Sequence, residues 1–186
     1  MVNNIFLTGF SGASKTMLIK KAVQELQLKP GGFMTSRQSR AGGWVSFRLL
    51  AAGSCFNKQG SYQERIPGSG GQVFAFRRNR YQVWQVKNLT FNMYGVELLE
   101  QGLRESELLI MDELGRFELG ANRFQQQVIK VLASPRPVLG VLKYERNRFV
   151  KRIWDDQRVE VIWVDQTNQN WAYRQVIELL LLAAKE

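Results

Sequence analysis

Lys15 and Thr16 close a segment, Ile5-Phe6-Leu7-Thr8-Gly9-Phe10-Ser11-Gly12-Ala13-Ser14-Lys15-Thr16, in which an apolar run gives way to small residues and then to a helix start. Gly9, Lys15 and Thr16 fit a phosphate-binding loop, G-x-x-x-x-G-K followed by Ser or Thr. Such a loop turns its backbone N–H groups inward and ends on the positive end of a helix. Gly9, Phe10, Ser11, Gly12, Ala13, Ser14, Lys15 and Thr16 would therefore cradle phosphate oxygens together. Lys15 would reach the β- and γ-phosphates, and the Thr16 hydroxyl would take one position on Mg2+. Ser14 departs from the pattern, because the loop's second glycine belongs there. A left-handed backbone at Ser14 would cost roughly 1–2 kcal/mol, a strain that weakens phosphate binding without abolishing it.

A second constellation lies about a hundred residues on, where Asp112 and Glu113 follow the apolar run Leu108-Leu109-Ile110-Met111. In an α/β sheet, ligands gather at the carboxyl ends of the strands, so this pair is expected beside the loop. Asp112, with Thr16, suits the metal, and Glu113 suits a base that orients or deprotonates an attacking water. Lys15 and Glu113 are thus the candidate catalytic residues. The chain has no histidine, which excludes Ser-His-Asp hydrolases, Cys-His proteases and histidine-bound zinc. Its single cysteine, Cys55, excludes an internal disulfide framework and reads as a small apolar filler. Carboxylates, cations and a hard metal ion remain as reagents, and they suit phosphate chemistry.

The length of 186 residues and the 45% hydrophobic content suit one domain spanning 1–186. No apolar run approaches the ~18 residues that cross a bilayer, and Met1-Val2-Asn3-Asn4 lacks the basic start of a signal peptide. A cytoplasmic protein without a membrane partner is expected. A net charge of +10 points to an anionic partner: a nucleotide, a nucleic acid or an acidic surface. The cations concentrate at Arg77-Arg78-Asn79-Arg80, read as a hairpin tip, and between Lys143 and Arg152, read as a strand-to-helix connection. Each is also explained as a solvated face. Oligomeric state leaves no mark on the sequence.

The periodicity predicts helices over Lys15–Leu26, Phe91–Arg104, Asn122–Leu132, Phe149–Trp154 and Trp171–Ala184. It predicts strands at Phe33–Thr35, Trp44–Leu50, Gln72–Phe76, Tyr81–Val86, Leu108–Met111, Val138–Leu142 and Val159–Val164. Lys29-Pro30-Gly31-Gly32 is read as a helix stop, and Gly53–Gly71 as an excursion without period. The alternation argues for an α/β fold with helices on both faces of a mostly parallel sheet and an antiparallel interruption over 44–86.

Leu7-Thr8-Gly9 with Lys15-Thr16, then Gly32-Phe33-Met34-Thr35, then Asp112-Glu113-Leu114-Gly115-Arg116-Phe117-Glu118-Leu119 resemble the small P-loop nucleoside-triphosphatases that include the cancer-related nucleoside-triphosphatase. The resemblance implies a RecA-like fold and slow, Mg2+-dependent hydrolysis of ATP- or GTP-type nucleotides with broad base tolerance. It also assigns phosphate to Gly9–Thr16, metal to Asp112 and water to Glu113. The chain departs from that family at Ser14 and at Ser36-Arg37, where acidic residues are usual. It departs again at Gln169, where an arginine is usual, and near Leu142, where relatives often carry a histidine. A divergent nucleoside-triphosphatase is therefore the leading reading. One alternative is a kinase of a small acceptor, with arginines from Arg146–Arg152 in a lid. The other is a nucleotide-binding protein of weak turnover that contacts nucleic acid.

Overall fold

The computed structural model describes residues 2–10, 14–56 and 70–183 of the chain. Ser11, Gly12 and Ala13 of the expected loop lie outside the described residues, as do most of the excursion and Ala184. Asn4–Thr8 forms β1, and every one of its residues is buried, as an apolar run needs when both strand edges and both faces are covered. β1 pairs in parallel with β7 (Val138–Leu142) on one side and with β8 (Val159–Trp163) on the other. Beyond β7 come β6 (Leu108–Leu114) and then β2 (Pro30–Ser39), again parallel. β3 (Val45–Ala51), β4 (Gln72–Arg77) and the two-residue β5 (Gln85–Val86) add antiparallel pairings. The sheet order is β5-β4-β3-β2-β6-β7-β1-β8, the mixed sheet expected from the sequence.

Alternation along the strands divides the core between two faces. Ile5, Leu7, Ile110, Leu139 and Val141 face α1 (Lys15–Leu26) and α6 (Gln169–Ala183). α1 offers Leu18, Ile19, Ala22 and Val23 to this layer, and α6 offers Ala172, Val176 and Leu180 at fourfold spacing. On the opposite face, Phe6, Leu109 and Met111 meet Phe91, Leu99, Phe124, Val128 and Phe149. These come from a helix that runs from α2 (Asn88–Thr90) through a π turn (Phe91–Gly95) into α3 (Val96–Glu105), and from α4 (Asn122–Leu132) and α5 (Arg148–Trp154). Among the described residues, no helix is long and apolar enough to cross a membrane.

Three expected boundaries are corrected. Pro30-Gly31-Gly32 already belongs to β2, where it pairs with Leu108–Ile110 of β6, and α3 packs so closely that a Cβ on Gly31 would stand 2.7 Å from the Gly102 Cα. Of the expected strand Tyr81–Val86, only Gln85 and Val86 pair with β4. Asp112 and Glu113 do not follow the strand but lie inside β6, which runs on to Leu114.

Candidate active site

β1, β7 and β6 are parallel neighbours, so Gly9, Lys143 and Asp112 reach the same end of the sheet. The β1 and β6 ends stand two strand spacings apart, about 10 Å. Gly9 turns the chain at φ 133°, and a Cβ there would collide with the carbonyl oxygen of Val164, so the turn requires glycine. Ser14 takes up the left-handed conformation, φ 56° and ψ 23°, and its side chain makes no capping hydrogen bond. Its carbonyl accepts from the amides of Met17 (2.8 Å) and Leu18 (3.1 Å) and so opens α1. Lys15 folds back over the loop, and its Nζ donates to the carbonyl oxygens of Gly9 (3.1 Å) and Phe10 (2.8 Å). Burial lowers its pKa; Glu113 and Asp112 oppose the shift, and Lys143 adds to it.

Thr16 lies in the first turn of α1, within hydrogen-bond reach of the buried end of β6. Asp112, 3% exposed, accepts a hydrogen bond from the Thr16 side chain. Burial pushes its carboxyl up to about 7; the Thr16 bond and the lysines Lys20 and Lys15 pull it down, while Glu113 adds to the rise. Thr16 and Asp112 together present hard oxygens around a buried carboxylate that a cation would stabilise. This donor set suits Mg2+, which takes one or two protein ligands and fills its other positions with phosphate and water.

Glu113 points to the other face of β6. The β6–β7 pairing passes from Asp112–Val141 to Leu114–Leu142, so Glu113 is an extra residue that bulges from the strand end. Its Oε1 lies 2.8 Å from the Lys143 Nζ, and both side chains are about one third exposed. Behind it, Glu118 is 2% exposed and accepts from the Gly115 amide at 2.8 Å, which closes the turn after β6. Burial pushes the Glu118 carboxyl up to about 7; the hydrogen bonds from Gly115 and its own backbone oppose this, and Glu113 and Glu145 add to it.

A cleft of about 540 Å³ joins these parts, lined by Gly9, Phe10, Ser14, Lys15 and Thr16 on one side and by Glu113, Arg116, Lys143, Tyr144 and Glu145 on the other. All the described residues of the expected site therefore meet, with Asp112 beneath the cleft. The arginines expected from Arg146–Arg152 do not line it: Arg146, Arg148 and Lys151 line an adjoining cleft of about 530 Å³, and the cations on the Glu113 side of the first cleft are Lys143 and Arg116.

One feature escaped the sequence reading. Phe10, Tyr144 and Trp163 meet edge to face above the loop, with centroid separations of 5.4 Å (Phe10–Trp163), 5.1 Å (Tyr144–Trp163) and 6.3 Å (Phe10–Tyr144). Phe10 is 69% and Tyr144 59% exposed. Each is the first or second residue beyond a parallel strand, or the last within one, and that shared position was the only available signal.

A family model described as NTPase matches residues 4–177. The nucleoside-triphosphatase THEP1 of Thermotoga petrophila is 31% identical over 176 residues, which cover 95% of this chain and 92% of that one. The crystal structure of THEP1 from Aquifex aeolicus superposes with a TM-score of 0.70 at 23% identity, covering 95% of this chain and 98% of that one. The solution structure of a human cancer-related nucleoside triphosphatase does so with a TM-score of 0.63 at 22% identity, covering 95% and 96%. The two structures share the fold described above.

Proposed function

The chain belongs to the NTPase family, and we propose that this nucleoside-triphosphatase carries out its hydrolysis in the cleft between Gly9 and Glu113. One observation carries the assignment: Lys15 and Thr16 from one end of the chain and Asp112 and Glu113 from its middle converge there, with Thr16 bonded to Asp112. Lys15 exchanges its two loop carbonyls for β- and γ-phosphate oxygens as the nucleotide enters. Thr16 and Asp112 would hold Mg2+, which when bound neutralises charge on the β- and γ-phosphates. Lys143, now paired with Glu113, gains a stronger partner in the γ-phosphate, and Arg116 adds positive charge beside it. Glu113 is thereby released to align a water against the γ-phosphorus. The water oxygen bonds to phosphorus as the bridge to the β-phosphate breaks, and Glu113 receives the proton.

Broad base tolerance is supported by the rings of Phe10, Tyr144 and Trp163. An aromatic face stacks on any base, whereas selection among bases needs hydrogen bonds to their edges. The proposed compartment is the cytoplasm, where nucleotide and Mg2+ are available and the buried Cys55 thiol stays reduced.

The test is phosphate release from ATP and GTP without any acceptor, with Mg2+ and with a chelator, by the wild type and Glu113→Gln. Release that needs Mg2+ and falls about 100-fold in Glu113→Gln, with nucleotide binding retained, is expected. Full activity in Glu113→Gln removes the assigned base, and phosphate transfer only to an added acceptor replaces hydrolysis by a kinase reaction.

A further inference from the structure

The chain's charge is concentrated in one part of the fold. Residues 26–96 hold ten lysines and arginines against one acid, Glu64, and so carry nine of the ten net positive charges. The remainder of the chain is close to balanced. This stretch supplies β2 to β5, half of the sheet and the half farther from the phosphate loop. Among its described residues Lys29, Arg37, Arg40, Arg78, Arg80 and Lys87 are exposed, and no ion pair among the described residues engages any of them.

Four of them, Arg37, Arg40, Arg78 and Arg80, converge. β2 and β4 run in the direction of β1, so the turns that follow them, at Arg40 and at Arg78–Arg80, emerge at the same end of the sheet as the phosphate loop. The two turns touch: a Cβ on Gly43 would stand 3.8 Å from the Arg80 amide. Two of their cations lie on rings instead of carboxylates. The Arg40 guanidinium sits 5.1 Å from the Trp44 ring centre, and that of Arg80 sits 4.8 Å from Tyr81 while donating to its hydroxyl at 2.6 Å. Tyr81 is 82% exposed.

Unneutralised arginines interleaved with aromatic rings serve the two parts of one ligand, phosphates and unstacked bases. A duplex keeps its bases stacked and would leave the rings without a partner. We propose that the paired turns, through Arg37, Arg40, Trp44, Arg78, Arg80 and Tyr81, bind single-stranded nucleic acid at the end of the sheet where the nucleotide cleft opens. The inference stands apart from the hydrolytic reading, because binding is measured with no nucleotide present.

The experiment follows fluorescence anisotropy of labelled oligo(dT) and oligo(rU) of about 16 nucleotides, alongside a duplex of the same length, between about 50 and 200 mM salt. Vesicles containing phosphatidylserine are tested in parallel by sedimentation. Contact with the four cations of this surface, Arg37, Arg40, Arg78 and Arg80, gives a slope of log K against log salt of about −3. Arg78→Ala with Arg80→Ala, both in an exposed turn, should weaken binding about tenfold or more and make the slope shallower by about 1.4. Tyr81→Ala should weaken single-strand binding about fivefold at unchanged slope. Both variants should keep the wild-type melting temperature and phosphate release, which separates lost binding from lost folding. The proposal is overturned by absent oligonucleotide binding at the lowest salt, by binding indifferent to both variants, by a preference for duplex, or by attachment to vesicles alone.

Discussion

Ser14 is the residue at which sequence and geometry make a joint quantitative demand. It holds φ 56° without a capping hydrogen bond, so its side chain bears the steric cost of the left-handed region and gains nothing measurable in return. Glycine removes that cost, roughly 1–2 kcal/mol. It also loosens the unfolded chain, which takes back roughly 0.5–1 kcal/mol. Ser14→Gly should therefore be more stable than wild type by about 1 kcal/mol, a rise of about 2–4 °C in melting temperature for a chain of this size. Ser14→Ala is the control: it keeps the Cβ, deletes only an unbonded hydroxyl, and should stay within about 0.5 kcal/mol of wild type. Urea and thermal unfolding of the three proteins without nucleotide measure both differences. Equal stabilisation by glycine and alanine, or none by glycine, refutes the argument that the Cβ is strained. Phosphate release by Ser14→Gly should equal or exceed that of wild type.

Lys15→Ala should weaken ATP and tripolyphosphate binding about 100-fold, because the same ammonium serves both, and titration calorimetry reads the loss. Tyr144→Ala should raise the KM for ATP and GTP about fivefold while leaving tripolyphosphate binding unchanged, since a ring that stacks on a base does nothing for a bare phosphate chain. Glu118 keeps its proton in the folded protein to about pH 7 but loses it near 4.5 when unfolded. The folded state thus binds more protons between those values, and stability declines as pH rises through them. Glu118→Gln, which keeps an acceptor for the Gly115 amide, should gain about 3 kcal/mol relative to wild type between pH 4.5 and pH 8. A constant offset between the two urea curves across that range contradicts it.

The parallel half of the fold was legible because its signals are local and agree with one another. Asn122–Leu132 and Val138–Leu142 occupy the residues that periodicity assigned to them, and Asp112 lies below Thr16 because parallel strands must deliver their ends together. What stayed hidden depended on neighbours distant in sequence. The glycines Gly31 and Gly32 look like a helix stop until α3 is known to lie against them. The alternation Tyr81-Gln82-Val83-Trp84 looks like a strand, but β4 offers pairing only to Gln85 and Val86, and Tyr81 and Val83 are left exposed. Lys143 was read as one of a basic run; its ion pair with Glu113 follows from β7 lying beside the bulge, which no spacing in the sequence reveals.

β2 is a seam. On one side it is joined in parallel to β6, and everything proposed for hydrolysis lies beyond that junction; on the other it is joined in antiparallel fashion to β3, and the basic turns lie beyond that one. A parallel strand needs a long crossover to enter a sheet, so the hydrolytic half cannot be altered piecemeal without disturbing its register. An antiparallel hairpin needs only a turn. Hairpins outside the seam can be lengthened, shortened or recharged while the phosphate loop and β6 keep their positions. Descent can therefore revise what this protein touches at a different pace from what it catalyses.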